Sequence, residues 1–229
     1  MTDSNALLQS VLLKQLAPFT LSGYALLREV IDSDGALPGR LKCLFSAVAA
    51  ANKGYLELAQ GELERAARLG LLLNDAASGL ILLSSLRGEG AALAFDAVLA
   101  KVYGPPASDP RAPTLARAAP GEAEANFRSY WGTVPPALAS LLRLVPKGAD
   151  GYFLMRKGTI ECNQLDRKSA ELMLIAVLAS DYSPQAATHI KAARAVGATD
   201  AEMAEAVLCA VPSAGIASWM AVGVLIEAA

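Results

Sequence analysis

Pro18-Phe19-Thr20-Leu21-Ser22-Gly23-Tyr24-Ala25-Leu26-Leu27-Arg28 lies over Pro146-Lys147-Gly148-Ala149-Asp150-Gly151-Tyr152-Phe153-Leu154-Met155-Arg156, with proline, tyrosine and arginine recurring at an offset of 128. Further on, Ala66-Ala67-Arg68-Leu69-Gly70 lies over Ala193-Arg194-Ala195-Val196-Gly197, where Gly70 meets Gly197 at an offset of 127. A nearly constant offset kept through punctuating residues points to a duplicated supersecondary unit. The reading divides the chain into a first repeat over residues 1–103, a proline-rich linker over 104–126 and a second repeat over 127–229. On this register the only histidine, His189, falls on Glu62 of the first copy.

Helix signals fill both copies. In the first they run over Leu7–Leu16, Leu21–Ile31, Leu37 to about Ala51, Tyr55–Leu69, Asp75–Leu86 and Gly90–Val102. Pro38 suits a first helical turn and Gly70 a C-terminal stop. Pro105, Pro106, Pro110, Pro113 and Pro120 mark the linker, because proline at that density breaks a helix interior. The second copy repeats the plan over Pro135–Leu144, Ala149–Glu161 and Asp166 to Ser180. A helix capped by Ser183 with Pro184 in its first turn then ends at Gly197. Thr199-Asp200-Ala201-Glu202 has the form of a capping box that opens another. No stretch alternates with period two, so the expected class is all-α.

At 229 residues the chain can bury a substantial core. Its hydrophobic content of 54% against 18% charged residues suggests buried helices and extensive subunit contact. With 20 basic and 22 acidic residues and no basic run, nucleic acid is not an expected partner. Cys43, Cys162 and Cys209 form no C-x-x-C pair, and with one histidine they leave no expected metal site. They read as free thiols in a reducing cytoplasm. Met1-Thr2-Asp3-Ser4-Asn5 lacks the basic start of a signal peptide. The uncharged part of the C-terminal region approaches the length of a membrane span, yet Pro212, Ser213, Gly215 and Ser218 interrupt it. A buried or oligomer-facing helix is expected there, and no membrane association.

Chemistry concentrates around His189. Leu165-Asp166-Arg167-Lys168-Ser169-Ala170-Glu171-Leu172 opens a helix, Asp181-Tyr182 follows it, and His189-Ile190-Lys191-Ala192-Ala193, Gly197-Ala198-Thr199 and Glu202-Met203-Ala204-Glu205 come next. This order resembles the carboxymuconolactone decarboxylase and alkylhydroperoxidase D (AhpD-like) family, most strongly over residues 165–215 and more weakly over 37–90. The resemblance implies an all-helical fold and units that associate as trimers or hexamers. Two fused units would then pack as a pseudo-dimer, and three such chains would resemble a hexamer. The peroxidase branch of that family carries a glutamate, a C-x-x-C pair and a histidine four positions later. The matching residues here are Glu171, Tyr182, Gln185 and His189, and in the first copy Cys43, Tyr55, Leu58 and Glu62. Peroxide reduction by that motif needs a thiolate and a resolving thiol, so thiol peroxidase activity is not expected.

The decarboxylase branch keeps the histidine without the cysteine pair. His189 would act as general acid or base, with Glu171 orienting its ring or relaying a proton. Tyr182 and Gln185 would contact substrate, although Tyr182 also reads as a packing residue, because its counterpart in the first copy is Tyr55. Arg87 in Leu86-Arg87-Gly88-Glu89, or Arg40, would hold a substrate carboxylate, or Arg87 would simply cap its helix. Cys43 and Glu62 mark either a second site or a vestigial one. Tyr130-Trp131-Gly132 reads as a staple over the core or as a pocket wall. The expected function is cofactor-free acid–base chemistry, by decarboxylation, isomerisation or ring opening, on a small organic acid or lactone. The alternatives are a non-catalytic small-molecule binder or structural oligomer, and a thiol activity at Cys43.

Overall fold

The computed structural model describes residues 6–105 and 114–228. Pro106, Pro110 and Pro113 of the expected linker lie outside the described residues, as does the N-terminal pentapeptide. The helices are α1 Val11–Leu16, α2 Pro18–Asp32, α3 Gly39–Asn52, α4 Leu56–Arg68, α5 Leu73–Leu86, α6 Glu89–Tyr103, α7 Glu122–Trp131, α8 Pro136–Leu144, α9 Pro146–Glu161, α10 Arg167–Ser180, α11 Ala186–Ala195, α12 Asp200–Leu208, α13 Val211–Ala214 and α14 Ala217–Ala228. No strand occurs among the described residues, and the class is all-α. Among the described residues no helix is long and apolar enough to cross a membrane.

The helix boundaries follow from local chemistry, and several differ from expectation. Ser10 accepts a hydrogen bond from the Leu13 amide at 3.3 Å and caps α1, so the first segment breaks into a 3-10 turn and a short helix. Pro18 and Pro146 each sit inside the first turn of a helix rather than before it, because their missing N–H is no loss there. Asp166 caps α10, and Thr199 and Glu202 form the full capping box at α12. The helix carrying His189 starts at Ala186, later than Ser183-Pro184 implies. Ala186, Ala187 and Thr188 bond back three residues rather than four, which makes a tight turn of Ser183–Gln185. α7 begins at Glu122, so residues 122–126 are helical rather than linker. The uncharged C-terminal stretch is split into α12, α13 and α14, with Gly215 turning at φ 72°.

The main core is built on α3 and α10, which pack against each other. Their buried faces run almost continuously, from Cys43 to Ala51 and from Leu172 to Ala179. α4, α5 and α6 cover α3, while α11, α12 and α14 cover α10. Asn52 donates to the Ser180 hydroxyl at 2.8 Å across the α3 and α10 ends. A second, smaller apolar cluster joins α7, α8 and α9 around Phe127, Ala149 and Phe153. α9 leans on α5 as well as on α7 and α8, and α2 leans on α3 and α12. The space left between the small cluster and the main core is the site described next.

Candidate functional site

A cavity of about 210 Å³ opens where α5, α7, α9, α10 and α11 converge. α5 supplies Leu82, Ser85 and Leu86, and α9 supplies Tyr152, Arg156, Thr159 and Ile160. Tyr130 and Trp131 close it from α7, and Glu171, Gln185 and His189 complete the polar wall. The sequence expectation of a His189–Glu171 pair thus corresponds to one place. His189 Nδ1 lies 2.8 Å from Glu171 Oε2, and the carboxylate is almost wholly buried. The next nearest charge on Glu171 is Arg167, whose Nε is 3.8 Å away and mostly exposed. With Nδ1 held by the carboxylate, Nε2 is the ring nitrogen left to meet a ligand. The helical spacing explains the pairing: Ala186, Ile190 and Ala193 turn one face of α11 into the core, which sets His189 at its edge facing α10.

Arg156, not singled out as a site residue from sequence, is the only permanently cationic side chain in the cavity wall. Its Nη1 donates to Asn126 Oδ1 at 2.8 Å. Its guanidinium carbon sits 3.7 Å from the Tyr130 ring centre and 4.8 Å from that of Trp131. Such stacking suits arginine, whose flat, weakly hydrated head packs on aromatic faces. Tyr130 and Trp131 therefore wall the cavity, and Trp131 also packs edge-on against Phe127 of the small cluster. The sequence did hold one signal, the recurrence of this arginine opposite Arg28, but its aromatic partners stand on another helix.

The remaining expected residues divide between two other places. Arg87 and Tyr182 line a more open depression that shares Leu86, Gln185 and His189 with the cavity. Arg87 Nη1 is 3.2 Å from Asp181 Oδ2 and is thereby engaged. Tyr182 donates its hydroxyl to the Ala214 carbonyl at 2.7 Å. It is also the one non-glycine with positive φ among the described residues, at 56°. The residue 128 positions earlier is Gly54, at φ 80°, so the backbone places Tyr182 opposite Gly54 rather than Tyr55. Arg40 is exposed on α3.

Cys43 and Glu62 are deeply buried together and do not line the His189 cavity. Arg28 Nη1 lies 2.8 Å from Glu62 Oε1, and both side chains are 2% exposed. Asp32 joins the cluster by pairing with Arg28 and Arg65. Asp32, Cys43 and Glu62 bring metal-ligand atoms within 4.8 Å of one another, yet two arginines already neutralise the carboxylates. Burial, and after it the Glu62 charge, push the Cys43 thiol up to about 12. A buried thiol held protonated is a poor nucleophile, which weighs against the thiol activity considered at Cys43.

No curated protein matches the chain. Residues 146–226, from α9 into α14 and including Arg156, Glu171 and His189, match the model of the Carboxymuconolactone decarboxylase family.

Proposed function

We propose that this chain is a cofactor-free acid–base enzyme for a small organic acid or lactone, in which His189 moves the proton and Glu171 holds its ring. One observation carries the reading: the 2.8 Å His189–Glu171 pair stands in the wall of an aromatic-lined cavity of about 210 Å³. The carboxylate fixes the tautomer that leaves Nε2 free, and it stabilises the imidazolium formed when Nε2 takes a proton. In isomerisation the proton taken from one substrate carbon is returned to another. In decarboxylation the carbanion left when CO₂ departs takes a proton from the imidazolium, which solvent then reprotonates. In eliminative ring opening His189 takes a proton from carbon as the lactone C–O bond breaks to a carboxylate, and passes it to solvent. No cysteine lines the cavity, which supports the exclusion of thiol peroxidase chemistry.

The test is a screen of unsaturated carboxylates and lactones, followed by loss of conjugated absorbance and by CO₂ release. On any substrate found, His189→Asn should lower kcat by about 10² to 10⁴-fold, the range that one positioned proton-transfer group contributes. Unchanged turnover in that variant would leave the non-catalytic binder as the reading that stands.

The halves are further read as copies packed as a pseudo-dimer. Two cross-links at matching positions support this. The Ala36 amide donates to Glu205 Oε1 at 2.9 Å, and the Gln164 amide donates to Ser78 Oγ at 3.1 Å. Ala36 stands 128 positions before Gln164, and Ser78 stands 127 before Glu205, the same two offsets as in the sequence. On this reading Glu62 and Cys43 are the vestige of the first copy's site. Three such chains would form the homo-oligomer; Leu93 on α6 and Met220 and Val224 on α14 are apolar and more than half exposed. Light scattering on the purified chain should give three times the 23.7 kDa chain mass. A monomeric mass would contradict it.

A further inference from the structure

Proton transfer by His189 leaves the guanidinium of Arg156 without a function. That group is positioned with care. Asn126 binds Nη1 from one side, and the rings of Tyr130 and Trp131 lie against it from another. Nη2 is removed from solvent and has no acceptor in the described structure. No carboxylate pairs with Arg156 among the described residues either. Arg156 lines the cavity with one neutral acceptor, Asn126, and no anionic partner, so its charge is left for a group that arrives from outside. The one carboxylate in the cavity wall, Glu171, is committed to His189.

We propose that Arg156 is the anion-binding residue of this cavity, and that it takes the carboxylate of a small, planar, unsaturated or aromatic acid. The proposal rests on reading the cavity as a substrate site. The first half of the chain shows the interaction in completed form. Arg28 stands 128 positions before Arg156 and binds Glu62, which stands 127 before His189. There the chain supplies its own carboxylate, out of water: Arg28 Nη2 donates to Glu62 Oε2 at 3.2 Å, and Nη1 stands 2.8 Å from Oε1 as an ion pair. In the second half that position carries an imidazole, which turns to Glu171 instead. The acceptor for Arg156 then has to belong to the ligand.

The rest of the wall specifies the ligand's body. Tyr130, Trp131 and Tyr152, with Leu82 and Leu174, present flat and apolar surface, which suits a conjugated or aromatic skeleton. The guanidinium is a planar fork and matches a carboxylate with two hydrogen bonds. An arginine-bound carboxylate is stabilised in its charged ground state and so resists loss of CO₂. The anchored carboxylate is therefore one that survives the reaction, and the reacting carbon lies toward His189.

Benzoate and its neutral isostere benzamide test this on the full chain by titration calorimetry at pH 7. Benzoate should bind at least tenfold more tightly than benzamide, and Arg156→Gln should erase the difference. Arg156→Lys, which keeps the charge but not the fork, should retain part of it. Melting curves establish that each variant folds; if Arg156→Gln does not, the graded loss in Arg156→Lys decides. Equal or absent binding of the two probes to the native chain would overturn the proposal. So would a preference in Arg156→Gln within threefold of native. His189→Asn separates the two readings: carboxylate preference persists there if Arg156 is the anion site. A preference lost in that variant and kept in Arg156→Gln would assign the anion to the imidazolium and defeat the proposal. The proton-transfer reading fails separately, on turnover by His189→Asn.

Discussion

Glu62 is the residue whose loss should be felt most. Its carboxylate and Arg28 are both buried, and removing one member of such a pair leaves the other charge in the core without compensation. Glu62→Ala should destabilise the fold by about 3 kcal/mol, the low end for a broken buried pair, because Asp32 still faces Arg28. Urea denaturation followed by circular dichroism measures this, and a loss below about 1 kcal/mol would mean that Asp32 alone suffices, given the small value of screened pairs. At this scale the sequence was half legible. His189 and Glu171 were readable because a histidine and a carboxylate stood at family spacing on consecutive helices. Arg156 was not, because its meaning comes from Asn126, Tyr130 and Trp131, which stand on a different helix, α7. Tyr182 misled because its left-handed backbone places it opposite a glycine, and no side-chain comparison reveals a dihedral angle.

Among the helices, α12 does work at a distance through Glu205. Its carboxylate accepts the amides of Ala36 and Leu37 at 2.9 Å each and meets Lys42 Nζ at 3.0 Å. A side chain added at Gly35 would run into the same carboxylate, which accounts for glycine there. Burial alone would raise the Glu205 carboxyl; the two amides and Lys42 outweigh it and hold the carboxyl below its usual range. The folded carboxyl therefore titrates below the unfolded one. Its contribution is complete above the unfolded value, near 4.5, and is lost as pH falls through the lowered folded value. Stability measured from pH 6 down to pH 3 should fall less steeply in Glu205→Gln than in the native chain. An unchanged slope would place the acid sensitivity elsewhere. Helix order and the Thr199 capping box were legible in the sequence, since proline and Thr199 act within a few residues. The clasp between α12 and the loop before α3 was not, because it joins residues 168 and 169 positions apart.

Across the whole molecule the sequence showed an all-helical chain with repeated punctuation, because buried helices impose their periodicity on every turn. It could not show which helix of one half would lie against the other. α9 begins the segment that matches the family, yet it leans on α5 from residues 73–86. Leu82, Ser85 and Leu86 thereby become walls of a site whose histidine is about a hundred residues away. The consequence concerns how this chain varies and how it is cut. A substitution in α5 falls outside the recognised segment and is still a substitution in the site. A fragment trimmed to residues 127–229 would keep the histidine, the glutamate and the arginine, and would lack the floor they stand over. The unit that can gain or lose a function here is the pair of halves, inherited together on one polypeptide.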